Sequence, residues 1–174
     1  MNPNLLSEIS LRLFSGNNAD VVAAVKELRS EGSPAIIPIL ADLLLKTTDR
    51  LIVAEIQNLL DDIKEKSAIP VIIELISNPK YRPIYRNLVQ SCWESGMDYS
   101  SYIRMFVQLA VKEDYITAIE ALTVVENITV EIPLVELEML INETKHEAIK
   151  AIDEKKVLLT ELIFVLENMR PKKA

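Results

Sequence analysis

Apolar residues recur at helical spacing along almost the whole chain, and the breaks between them divide it into ten segments. Leu5, Leu6, Ile9 and Leu13 form the first row, stopped by Ser15-Gly16-Asn17-Asn18. Asp20 opens the next helix, whose apolar face is Val21, Val22, Val25 and Leu28, and Glu31-Gly32-Ser33 closes it. Ser33 is a suitable N-cap, and Pro34 then takes the first helical position, where its missing N–H costs nothing. Thr48 is placed to cap a helix carrying Leu51, Ile52, Ala54, Ile56, Leu59 and Leu60. A short, almost wholly apolar helix follows from Ser67 to Ile76, broken by Asn78-Pro79-Lys80. Ile84, Leu88 and Cys92 form an i, i+4, i+8 row ended by Ser95-Gly96. Tyr99 to Val111 and Tyr115 to Val125 come next. Ile132-Pro133 opens a longer helix expected to reach Ile152, and Lys156 to Met169 is the last. Residues 170–174 read as a frayed tail. Ile128-Thr129-Val130-Glu131-Ile132 alternates like a β-branched strand, but no second strand is available to pair with it. It is therefore expected to be a loop leading to Pro133.

One pattern recurs at longer range. Ser33-Pro34-Ala35-Ile36-Ile37-Pro38-Ile39-Leu40 has an echo in Lys66-Ser67-Ala68-Ile69-Pro70-Val71-Ile72-Ile73, with the Ile-Pro cores 32 residues apart. A fainter copy without the proline runs from Ser100 to Leu109. A helical repeat of this period predicts an all-α fold, an α-solenoid of antiparallel helix pairs with about ten helices. The expected organisation is a single helical-repeat domain over residues 1–170. Residues 1–16 form an N-terminal capping helix, 18–127 the repeat pairs and 132–169 the C-terminal helices.

The paired amphipathic helices, the short turns and the prolines at Pro34, Pro38 and Pro70 resemble the HEAT family in its broad sense, over most of residues 18–127. That resemblance implies a scaffold whose concave or lateral surface binds a protein or peptide. It also admits an enzyme on the same scaffold, since some HEAT-like proteins act on alkylated DNA bases.

Composition narrows these readings. The 174 residues are 49% hydrophobic but only 5% aromatic, and there are three glycines, none close to another. Phosphate-cradling loops and tight β-turns both need more glycine than that. Mean hydropathy is +0.18, yet no apolar run approaches the roughly 18 residues of a membrane helix. The first residues lack the basic-then-apolar layout of a signal peptide, so a cytoplasmic protein is expected. The single Cys92 excludes an internal disulfide. Net charge is −7, which disfavours general nucleic-acid binding, and a DNA glycosylase-like activity with it. The charge is uneven: residues 79–112 carry five basic and two acidic side chains, while both flanking stretches are acidic.

Catalytic constellations are sparse. His146 is the only histidine, and Glu143-Thr144-Lys145-His146 is one Glu-x-x-His motif where a di-iron bundle needs two. No Cys/His cluster offers a transition-metal site, and no cofactor is expected. Glu136, Glu143 and Glu147 share one side of a helix, as paired acids would, but a solvated acidic stripe has the same spacing.

The stretch from Pro79 to Trp93 is the best candidate for binding. At about 100° per residue, Arg82, Arg86, Val89 and Trp93 gather on a side away from Ile84, Leu88 and Cys92. Trp and Arg dominate interface hot spots, and Arg forks onto carboxylates and stacks on rings. Arg82, Tyr85, Arg86, Trp93 and Arg104 are thus the expected partner-binding residues, the alternative being a helix packed on both faces. The function expected is a protein–protein interaction or scaffold module without catalytic activity. A third reading is self-association through the end helices, giving a homo-oligomer.

Overall fold

The computed structural model describes residues 3–31 and 33–170, and all regular structure in them is helical. Ten α-helices follow one another: α1 (Pro3–Leu13), α2 (Asn18–Glu31), α3 (Ile37–Lys46), α4 (Arg50–Asp61), α5 (Ala68–Ser77), α6 (Tyr85–Glu94), α7 (Ile103–Lys112), α8 (Tyr115–Glu126), α9 (Leu134–Lys150) and α10 (Asp153–Asn168). Short 3-10 turns at Pro34–Ile36, Pro79–Ile84 and Ser100–Tyr102 lead into α3, α6 and α7. No helix among the described residues is long and apolar enough to cross a membrane.

The three echoing segments become three helices of ten residues each, α3, α5 and α7. Ser33 Oγ accepts from Ala35 N at 3.4 Å, so Pro34 enters at a capped helical start, as its position demands. Pro38 and Pro70 fall in the first turns of α3 and α5, where no intrahelical N–H is lost. The stretch 128–133 is loop, without strand.

Several boundaries differ from the sequence reading. Asp49, not Thr48, caps α4, because its carboxylate accepts from both Leu51 N and Ile52 N, at 2.8 and 3.2 Å. A carboxylate one residue nearer the helix outcompetes the hydroxyl. α9 stops at Lys150 rather than Ile152: Ala151 and Ile152 are extended, and Asp153 adopts φ +48° to start α10 three residues early. Asp is among the few residues that tolerate this left-handed conformation. Arg170, expected to begin the tail, is held by Glu138 at 2.9 Å, and residues 171–174 lie outside the described residues.

The chain divides into two compact units, residues 1–97 and 98–174, a division that falls within the stretch 18–127. In the first unit α1 packs on α2, α3 on α4 and α5 on α6, while α2 lies beside α4, α4 beside α6 and α3 beside α5. Its core is aliphatic: Ala24, Ile36, Ile37, Leu40, Ile56, Leu60, Ile72 and Leu88 have no accessible surface. Each fully buried Leu or Ile stabilises the fold by about 1.5–3 kcal/mol.

In the second unit α7 packs on α8 and α9 on α10, with α7 beside α9 and α8 beside α10. Phe106, Leu137, Leu140, Leu162 and Leu166 fill its centre, and Tyr99 meets Phe106 edge-on at 5.8 Å between ring centroids.

Candidate binding surface

The residues expected to bind a partner are placed differently from one another. Arg82 lies on the 3-10 turn Pro79–Ile84, which Pro83 keeps out of α6, so the α-helical spacing assumed for it does not carry across. Arg82 and Arg86 are exposed, and Trp93 is partly covered. Tyr85, the first residue of α6, is buried and belongs to the core. Val89, expected beside the arginines, has no accessible surface, whereas Ile84, Leu88 and Cys92 form the buried row as read. α6 packs against both α4 and α5, and this two-sided packing covers Val89.

Arg104 belongs to the second unit. Its guanidinium donates to Glu143 at 3.2 Å and reaches Glu136 at 4.0 Å, tying α7 to α9. Glu136 and Glu143 do share one side of α9, and that side faces α7.

Between α7 and α9 lies a groove of about 570 Å³, lined by Val107, Gln108, Val111 and Lys112 on one side and Asn142, Glu143, His146 and Glu147 on the other. His146 and Glu143, the Glu-x-x-His pair, both line it. Glu147 is engaged by Lys150 at 2.9 Å, which holds its carboxyl below the usual range. Among the described residues no three His, Cys, Asp or Glu side chains gather as metal ligands would.

A second surface was not singled out from the sequence. On α8, Ile116 and Ile119 are exposed, and on α10 Val157 and Phe164 are more so, at 71% and 58%. Ile116, Ile119 and Thr123 are spaced three and four apart, as are Val157, Glu161 and Phe164, so each set occupies one face of its helix. Both faces lie opposite the buried residues of their own helices, Ala118, Ala121, Leu122 and Val125 on α8 and Leu158, Leu159, Leu162 and Leu166 on α10. Lys155 Nζ donates to the Glu113 carbonyl at 2.9 Å near the start of both helices. Near their ends Glu126 lies with Val165 and Met169, so the two helices stay side by side along their lengths.

Carboxylates lie on this surface, at Glu161 within the α10 row and at Glu126 at the end of α8. Burial raises the Glu126 carboxyl above its ordinary value, and Glu161 raises it further by like-charge repulsion. α8 carries no basic residue, and the two lysines of α10 sit together in its first turn. The signal in the sequence was present but diluted: α8 is apolar nearly all round, so its outer face has no contrast against its inner one.

Compared with models of protein families, with curated proteins and with solved structures, the chain matches none in any of the three.

Proposed function

We propose that the chain is a protein-binding module of the HEAT-like type, an α-solenoid of antiparallel helix pairs without catalytic activity. Its ligand is a basic, amphipathic helical segment of a partner protein. Support for the solenoid comes from the way successive pairs repeat inside each unit: first helices neighbour first helices (α3 and α5; α7 and α9), and second helices neighbour second helices (α2, α4 and α6; α8 and α10).

The observation that carries the function is the α8/α10 face. Ile116, Ile119, Val157 and Phe164 stand in solvent, and Glu126 and Glu161 of the same two helices repel one another. Large apolar side chains left exposed side by side mark interaction sites in soluble proteins. An apolar helix face would cover them, and flanking Lys or Arg would relieve the Glu126–Glu161 repulsion.

A random library of helical peptides selected on the immobilised protein tests this. Basic amphipathic sequences are expected to be enriched, and their binding is expected to weaken about tenfold or more in an Ile119→Glu, Phe164→Glu variant. Both positions are exposed, so the variant keeps its helicity. Enrichment of no sequence class, or peptides that bind the variant equally well, would overturn the proposal.

A further inference from the structure

The exposed face of α9, whose centre also lines the α7/α9 groove, has a pattern that the α8/α10 surface does not use. Val135, Met139, Asn142, His146 and Ile149 follow one another at steps of four, three, four and three residues. That is the seam of a helix that packs along another helix. All five are exposed, Val135 and Ile149 at 75% and 81%. They lie opposite Leu137, Leu140, Ile141 and Thr144, which face the core. The seam is apolar at its ends and polar at its centre.

We propose that this seam pairs with the same seam of a second copy, the two α9 helices running antiparallel about a two-fold axis. The arrangement follows from the side chains. Antiparallel pairing sets Met139 against Ile149 of the other copy, and Asn142 against His146 of the other copy. Apolar meets apolar in the layer on either side of the centre, and Val135 falls beyond the last layer of α9. At the centre an amide meets an imidazole, each able to donate and to accept. A shift of one layer would set Val135 against His146 and Met139 against Asn142, burying polar groups without partners, so the register is defined.

The flanking charges choose the direction. The positions that flank the seam carry acids at Glu136, Glu138 and Glu143 and bases at Lys145 and Lys150, while Glu147 lies off the flank, paired to Lys150. A parallel pair would set Glu138 against Glu143, and Lys145 against Lys150, twice each. The antiparallel pair instead sets Glu136 against Lys150 of the other copy at both ends. At its centre Glu143 meets Glu143 and Lys145 meets Lys145, so the antiparallel pair has two like-charge and two opposite-charge meetings where the parallel pair has four like-charge ones, and the groups keep ion-pair partners within their own copy in either case. Opposed helix dipoles add to the same preference.

Sedimentation velocity over a wide concentration range tests the pairing. Wild type is expected to pass from monomer to dimer as concentration rises. Ile149→Glu, which alters an exposed residue and leaves the helical signal intact, is expected to remain monomeric. Glu136→Lys and Lys150→Glu are each expected to weaken dimerisation about tenfold, and the two together to restore it. A wild type that stays monomeric at the highest concentration, a dimer indifferent to Ile149→Glu, or a charge swap that fails to rescue would each overturn the proposal. These variants leave the α8/α10 face untouched, so peptide selection on them reads the proposed function separately.

Discussion

Asn87 Nδ2 donates to Gln57 Oε1 at 2.9 Å, and Gln57 Nε2 donates back to the Asn87 carbonyl at 3.2 Å. The two residues are 30 apart and join α4 to α6. Similar rungs recur along the second helices of the first unit. Asn18 donates to Asp49 at 2.6 Å across 31 residues, Lys64 Nζ to the Ser95 carbonyl at 2.7 Å across 31, and Arg29 pairs with Asp62 across 33. The repeat seen in the apolar residues is thus matched by polar ones.

Gln57 is buried, so removing its partners exposes an unsatisfied amide rather than merely losing a bond. Asn87→Leu is expected to lower stability by about 1–3 kcal/mol in urea unfolding, and Gln57→Leu by less, since the Asn87 amide it leaves behind is only half-buried and turns to water. The double variant should cost less than the two single changes added together, because they break one shared interaction. Additive losses would show that the rung is not coupled.

Asp61 accepts from Gln57 Nε2 at 2.7 Å, yet burial, with the charges of Glu94 and Asp62 behind it, pushes its carboxyl up from 3.8 to about 6. Between those values the folded chain holds a proton that the unfolded chain has lost. The stability this group contributes is complete below the unfolded value and is lost as pH rises through about 6. Asp61→Asn keeps the acceptor for Gln57 and removes the buried charge. It is expected to be more stable than wild type at neutral pH by on the order of 1 kcal/mol, after allowing for solvent screening at a half-exposed site, and to show little difference in mild acid. Thermal unfolding at a series of pH values checks this, and a constant difference across the series would contradict it.

Asp114 caps α8 as Asp49 caps α4. Its Oδ1 accepts from Ile116 N and Thr117 N, both at 3.1 Å, and Oδ2 from the Thr117 hydroxyl at 2.7 Å. The Thr117 hydroxyl, then the backbone N–H groups, hold this carboxyl below its ordinary value. Its contribution is therefore present above the unfolded value and is lost as pH falls through the folded one. Asp114→Ala is expected to cost about 1 kcal/mol at neutral pH and less in acid, with Asp114→Ser recovering most of the loss. Equal losses at all pH values would mean that the charge of the cap is irrelevant.

Arg104 lies among half-exposed carboxylates, where an ion pair contributes little. Arg104→Ala is expected to cost less than about 1 kcal/mol and to leave binding of selected peptides unchanged. Loss of peptide binding with stability intact would instead return Arg104 to the binding surface.

The ends and phases of the helices were largely legible in the chain. Pro34 after Ser33 and the row Ile84, Leu88, Cys92 behave as their local chemistry requires. Less of the binding surface was legible. Helical spacing put Val89 with Arg82 and Arg86, but α4 and α5 cover Val89, and a 3-10 turn carries Arg82. On α9 the three acids Glu136, Glu143 and Glu147 are legible as one stripe, while the exposed seam beside them is not, because Asn142 and His146 interrupt its apolar pattern.

What the amino-acid order determined alone is local. Periodicity, proline position and side chains able to cap dictate where helices form, since these act over one or two turns. What only the tertiary structure decided is which face of each helix meets another. That choice places Tyr85 in the core, lifts the Asp61 carboxyl, engages Arg104 and leaves Phe164 and Ile149 in solvent. It depends on contacts between residues tens of positions apart, and the pattern within a single helix carries no record of them.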